Sequence, residues 1–237
     1  MKFNPPLQEA KLVKRYKRFL ADIQLPGGDI VTIHCPNTGS MKNCAEPGSK
    51  VWYSTSDNPK RKYPNTWEQV SVGAEEKDFR AGINTHRANK LVFEAIEGGV
   101  IKELQGYGSI KAEVQYGDER SRIDFLLQTG DDRCYLEVKS VTLGLGNGKG
   151  AFPDAVTKRG TKHLRELMSQ RQQGDRAVLL FCVQHTDIAE VTPADDIDPV
   201  YGETLRMAAE SGVEILAYGT TITSEEIKIT GKIPVSW

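Results

Sequence analysis

The chain is short of the features that mark several large protein classes. It holds four cysteines in 237 residues, Cys35, Cys44, Cys134 and Cys182, with no Cys-x2-Cys spacing. Neither a zinc site nor a disulfide framework is indicated, and reduced, mostly buried thiols are expected. No apolar run approaches the length of a membrane span, and the first residues lack the apolar stretch of a signal peptide. A soluble cytoplasmic protein without a membrane partner is therefore expected. A Walker-type phosphate loop, a Gly-x-Gly-x-x-Gly fingerprint and a Gly-x-Ser-x-Gly elbow are all missing, which removes the common nucleotide-binding and serine-hydrolase readings. The histidines, His34, His86, His163 and His185, share no metal-ligand spacing and read as polar or core residues. Trp and Tyr are few and form no recognisable carbohydrate platform.

Net charge is also small, −1, which argues against a protein basic all over. The average conceals an asymmetry. Residues 1–80 carry 13 Lys+Arg against 9 Asp+Glu, and the remainder 18 against 23. In the basic part, Lys14, Arg15, Lys17 and Arg18 interleave with Tyr16 and Phe19 in a strand-like stretch, and Lys60, Arg61 and Lys62 precede Tyr63. Cations mixed with rings suit a phosphate backbone and stacked bases. A strand edge kept charged against aggregation has the same composition.

From Lys11 to Val72 the pattern is strand and turn, with strands predicted at 18–23, 29–35, 50–54 and 67–72 between Pro/Gly/Asn turns. A small closed β-domain follows, an OB-type barrel or another small barrel of that size. Trp52, Tyr53 and Trp67 serve there as core or as stacking platforms. The charged, aperiodic segment from Gly73 to Arg80 marks the boundary, giving domains 1–80 and 81–237.

The second part changes rhythm. Apolar residues at helical spacing predict a helix over 85–97, capped by Asn84 or Thr85 and ended by Gly98-Gly99. Strands are predicted at 110–116, 122–128 and 134–142, then a helix to about residue 173 and a buried strand over 177–183. A helix over 198–211 and a strand over 213–218 extend an α/β sheet. The glycine-rich stretch Gly144 to Gly150 is expected to be a mobile loop.

The most informative run is Leu136-Glu137-Val138-Lys139, preceded by Arg122-Ile123-Asp124-Phe125. On a strand Glu137 and Lys139 share one face, and Leu136 and Val138 the other. A hairpin between the two runs brings Asp124 towards Glu137. Two neighbouring carboxylates repel unless a cation lies between them, and oxygen ligands suit Mg²⁺, or Mn²⁺. Asp124 and Glu137 are thus the expected metal ligands, and Lys139 is placed to orient a water or stabilise charge on phosphorus. Downstream, Lys158 and Arg159 lie near the start of a helix, where cations are unfavourable unless an anion arrives. With Arg122 they complete the expected nucleic-acid contacts. Glu94 on the first helix is a further candidate carboxylate.

The spacing Asp-x12-Glu-x-Lys and the order α-β-β-β-α-β resemble the PD-(D/E)xK nuclease superfamily, although Ile123 stands where that pattern usually has Pro. Read together, Tyr16-Lys17-Arg18-Phe19-Leu20-Ala21-Asp22, His34-Cys35-Pro36-Asn37-Thr38-Gly39, the two motif runs and Phe152-Pro153-Asp154-Ala155-Val156 resemble the sugar fermentation stimulation protein A family, SfsA, nearly end to end. The resemblance implies an α/β protein with an N-terminal small OB-like β-barrel and a PD-(D/E)xK nuclease-like domain. It also implies binding to DNA without sequence preference and a regulatory link to maltose and other sugar use. Carried over, the catalytic motif falls on Asp124, Glu137 and Lys139, with Glu94 as the helix acid. Two functions follow as expectations: a metal-dependent nuclease acting on DNA, or on RNA, and a non-enzymatic DNA-binding factor using the same scaffold.

Overall fold

The structure, a computed structural model, describes residues 1–73, 79–117 and 121–237. The first unit contains β1 (Gln8–Tyr16), β2 (Leu20–Gln24), β3 (Ile30–His34), β4 (Lys50–Thr55), β5 (Asn65–Val72) and β6 (Phe79–Gly82). β1, β2 and β3 form an antiparallel meander, β4 joins β1 to β5, and a parallel contact of His34 with Thr66 closes β3 onto β5. This ring order is that of an OB-type barrel. Alternating residues such as Leu12, Ile23, Ile33, Val51, Trp67 and Val70 fill its interior. Trp52 and Tyr53 are buried too, so all three candidate stacking rings are committed to packing. β6 lies outside the ring on β5 and touches the second unit through an Ala81–His185 bridge. The expected boundary segment from Gly73 to Arg80 falls largely outside the described residues.

Lys14 to Arg18 differ from the expected continuous strand. β1 ends at Tyr16, and Lys17 and Arg18 occupy a tight turn with positive φ, 50° and 63°. The next strand consequently starts at Leu20 rather than residue 18.

The second unit comprises α1 (Arg87–Glu97), a 3₁₀ turn (Lys102–Leu104), β7 (Ser109–Tyr116), β8 (Ser121–Thr129), β9 (Asp132–Val141), β10 (Leu143–Gly146), β11 (Lys149–Phe152), α2 (Lys158–Gln172), β12 (Arg176–Val183), β13 (Glu190–Pro193), α3 (Pro199–Glu210), β14 (Glu214–Ile222) and β15 (Ile227–Lys232). Its main sheet has the order β15-β14-β12-β9-β8-β7, with β9, β12 and β14 parallel. α1 sets Leu91, Val92 and Ile96 against Leu136, Val138, Val178 and Leu180 on one face. On the other, Leu164 and Leu167 of α2 and Leu205 of α3 pack on Leu179, Phe181 and Ala217. β12 is covered on both faces, as its unbroken apolar run requires. Among the described residues no helix is long and apolar enough to cross a membrane, and all four cysteines are buried and free.

The stretch Gly144 to Gly150 is a correction to the expected mobile loop. It forms the antiparallel β10–β11 hairpin, and β11 pairs in parallel with β13. Asn147 and Gly148 have positive φ, 54° and 77°, which is what a two-residue hairpin turn of Asn-Gly type needs.

The two units are clamped by the barrel loop after β3. Arg15 donates to the carbonyls of Asn37, Gly39, Ser40 and Arg18 at 2.9–3.3 Å, rigidifying the loop from within. Asp154 of the α/β unit then accepts from Ser40 Oγ at 3.2 Å and the Met41 N–H at 3.1 Å. Asn43 donates to the Gly144 carbonyl at 2.9 Å, and the Cys44 thiol to that of Thr142.

Phe181 is 1 % exposed and meets the Phe152 ring at 5.6 Å. Phe181→Ala is expected to cost about 3–5 kcal/mol in chemical denaturation.

Candidate active site

The site forms where two strands part. β8 and β9 pair from Thr129–Asp132 to Phe125–Leu136 and then stop, while β9 continues beside β12 to Val141–Val183. Asp124 turns into the opening. Its Oδ2 accepts the Val138 N–H at 2.7 Å, and its Oδ1 accepts from Asn89 Nδ2 of α1 at 2.7 Å. A carboxylate therefore takes a backbone donor that an uninterrupted ladder would have used. Side-chain alternation breaks here as well: Ile123 packs with the α2 side, whereas Phe125 packs with the α1 side.

On β9, Leu136 and Val138 face α1, as alternation requires, so Glu137 and Lys139 face α2. Lys139 Nζ donates to Glu137 Oε1 at 2.6 Å. His163 Nδ1 contacts the same oxygen and lies 3.3 Å from Lys139 Nζ. Arg159 Nε donates to His163 Nε2 at 3.3 Å, one helical turn earlier. With Nε2 accepting, Nδ1 carries the imidazole proton towards Glu137.

The position of α2 is itself fixed by hydrogen bonds. Thr157 caps it, accepting the Gly160 N–H at 3.0 Å. Asp198 accepts the Thr157 N–H at 2.8 Å and caps α3 through the Tyr201 N–H at 3.1 Å. A Cβ on Gly160 would sit 2.8 Å from Thr157 Cγ2 and 3.0 Å from the Tyr201 ring, so glycine there permits the close approach of the helix starts.

Burial, and then the charge of Glu137, push the Asp124 carboxyl up to about 6. For Glu137, burial raises the carboxyl, but the Lys139 charge and the His163 contact more than offset it, leaving it below its ordinary value. Two neighbouring carboxylates are thus driven apart in acidity. Glu137 Oε2 is buried and has no hydrogen-bond partner among the described residues. Two oxygen donors, one with an orphaned atom, fit a small hard cation. No group of three or more His, Cys, Asp or Glu suited to a metal occurs among the described residues, but Mg²⁺ needs only one or two protein carboxylates.

Glu94 lies elsewhere. Its carboxylate meets the Met1 ammonium at 2.7 Å and Lys90 at 3.9 Å. Five residues along a helix turn a side chain to another face, so Asn89, not Glu94, reaches Asp124. His163, read in the sequence as a polar or core residue, is buried and in direct contact with Glu137. The readable signal was Arg159-x3-His163 on the helix that follows the motif strand.

The basic residues fall into three groups. Lys14, Arg15, Tyr16, Lys17 and Arg18 form the β1–β2 hairpin end; there Lys14 lies 3.6 Å from Asp22, and Tyr16 donates to Asp22 at 2.9 Å. Lys60, Arg61 and Lys62 lie on the β4–β5 loop, with Arg61 donating to Thr66 at 2.9 Å. These are the two loops that border the binding face of an OB-type barrel. Arg122, Lys158 and Arg159 are exposed on the α/β unit, and of these Arg159 joins the His163 cluster.

Comparison with known proteins matches both units. Residues 86–226 fit the family described as the sugar fermentation stimulation protein RE domain, and residues 13–76 the SfsA N-terminal OB domain. The chain belongs to the SfsA family. Sugar fermentation stimulation protein homologs from Shewanella loihica and Teredinibacter turnerae are each 58% identical over 99% of this chain and of theirs. The structure of Pyrococcus furiosus SfsA in complex with Ca²⁺ superposes with a TM-score of 0.88 at 26% identity, covering 100% of this chain and 98% of that one.

Within this SfsA frame Arg15 has a structural task, because its guanidinium is engaged by loop carbonyls. Arg15→Ala is expected to lower stability by about 1–3 kcal/mol in thermal or denaturant unfolding. Lys17→Ala with Arg18→Ala should leave stability within about 0.5 kcal/mol.

Proposed function

We propose that this SfsA-family chain binds DNA without sequence preference and carries a divalent-cation phosphodiesterase site at Asp124, Glu137 and Lys139. The observation that carries the reading is the junction where β8 and β9 part, with the Asp124 carboxylate in the gap and Glu137 and Lys139 on the adjoining strand. Residues 1–80 are the gripping domain, through the cations of the β1–β2 and β4–β5 loops, and residues 81–237 the cutting domain. The Ca²⁺ complex of the Pyrococcus furiosus relative supports an oxygen-ligated cation.

Asp124 and Glu137 would hold Mg²⁺ or Mn²⁺, which supplies a more acidic water and neutralises phosphate charge. Lys139 stabilises the charge that grows on phosphorus, and His163 orients Glu137. Arg122, Lys158 and Arg159 hold backbone phosphates. Such a protein would work in the cytoplasm, and an effect on maltose or other sugar use would follow from its DNA binding.

A second reading rests on a specific feature: the acidic groups already have protein partners, Lys139 and His163 for Glu137, Asn89 and Val138 for Asp124. A binding factor without catalysis needs no more.

The test is incubation of labelled single- and double-stranded DNA and RNA with Mg²⁺, Mn²⁺ or EDTA. Cleavage with metal, abolished in Asp124→Asn, Glu137→Gln and Lys139→Met while DNA binding stays within a few-fold, is the expected outcome. Binding without cleavage under every condition selects the second reading, and preference for RNA changes the substrate.

Metal affinity should also depend on pH. A proton competes with the cation for Asp124, whose carboxyl lies at about 6. Mn²⁺ affinity by calorimetry should therefore level off above that pH and fall about tenfold per unit well below it.

A further inference from the structure

A cleft of about 540 Å³ lies apart from the Lys139 cavity. It opens between the N-terminal segment, the β4–β5 side of the barrel and the start of α1. Lys2, Arg61 and Arg87 line it together with His34 and His86, against a single carboxylate, Glu68. That carboxylate is 1 % exposed and fully engaged. Its Oε1 accepts from Ser54 Oγ at 2.8 Å and Arg87 Nη2 at 2.7 Å; its Oε2 accepts from Asn84 Nδ2 at 2.8 Å and Arg87 Nε at 3.2 Å. Glu68 therefore serves to fix Arg87 and offers no charge to a ligand.

Burial, followed by the charges of Arg61 and His86, holds the His34 ring below its ordinary value. His34 Nδ1 has no hydrogen-bond partner among the described residues. An anion would relieve that repulsion. Phe3, Pro36 and Tyr53 add apolar wall, and the volume is that of a small-molecule site.

The walls are held in place before any ligand arrives. The Met1 ammonium donates to the Ile227 carbonyl at 2.7 Å, and the Phe3 and Leu7 N–H groups donate to the carbonyls of Glu225 and Ser224 at 2.8 Å. Tyr53 is fixed by donation to Gln8 at 2.6 Å.

The cleft adjoins the active site. Pro36, Asn84 and His86 line it, while the neighbouring residues Asn37, Thr85 and Asn89 line the second cavity, of about 310 Å³, which contains Lys139. Asn89 reaches from there to Asp124.

The geometry points to a phosphate-binding subsite in this cleft that takes a nucleotide, with Arg61, His34 and His86 on the phosphate and Phe3 against the sugar or base. The nucleotide is either a free mononucleotide or one unit of a strand that continues towards Lys139. The second source rests on the function proposed above; the subsite itself does not.

The experiment is calorimetric titration of the full chain, in EDTA, with AMP, adenosine and a 5′-phosphorylated oligoadenylate of five residues. It requires no metal and no cleavage, so its failure is separable from failure of the nuclease reading. AMP is expected to bind and adenosine not. Arg61→Ala and His86→Ala, each confirmed as folded by its melting curve, should each weaken AMP about tenfold, as loss of one charged contact would. Tighter binding of the oligonucleotide, with the same losses in the variants, identifies a strand as the source; binding of AMP alone identifies a free nucleotide. Absence of AMP binding, or AMP affinity unchanged in both variants, overturns the proposal.

Discussion

The hydrogen bond from the Val138 N–H to the Asp124 carboxylate is the constraint on which the site depends. A backbone donor at this depth must be paired. Because β8 pairs with β9 only from Phe125 onward, a side chain must supply the acceptor at Val138. Asp124 supplies it and is thereby fixed beside Glu137, at the cost of a carboxyl driven well above its ordinary acidity. The same break in pairing opens the sheet to α1 on one side, where Asn89 completes the Asp124 contacts. On the other side α2 brings His163 to Glu137.

Support for that geometry comes from outside the two motif strands. Asp198 holds the first turns of α2 and α3 together, which sets where His163 and Arg159 stand. The barrel contributes through the loop of residues 37–41, which Arg15 stiffens and Asp154 anchors. Asn37 and Gly39 then form one wall of the Lys139 cavity. That cavity is thus bounded by both units, with its lysine supplied by the α/β unit.

Much of this was legible in the sequence because it follows from period and punctuation. The alternation around Glu137, the apolar run of β12 and the helical spacing of α1 each express a single local rule, and each appears where the spacing placed it. What escaped was set by tertiary contact. Arg15 reads as one cation among several until the carbonyls of residues 37–40 close around it. Glu94 has the chemistry of a ligand but lies on the wrong helical face, and an asparagine five residues earlier makes the contact. His163 shares no spacing with the acids because its proximity comes from the β9–α2 connection. The β10–β11 hairpin was hidden by glycines that suggested looseness, although Asn147-Gly148 carries the turn signal in plain view.

The clamp between the barrel and the α/β unit has a consequence for any strand that spans them. A flexible tether would let the barrel loops and the Glu137–Lys139 site approach in many registers. Here the loop hydrogen-bonds at both ends and allows one offset. On the function proposed above the barrel edge would act as a ruler: the count of nucleotides between a phosphate it grips and one presented to Lys139 would be built into the fold, independent of base sequence.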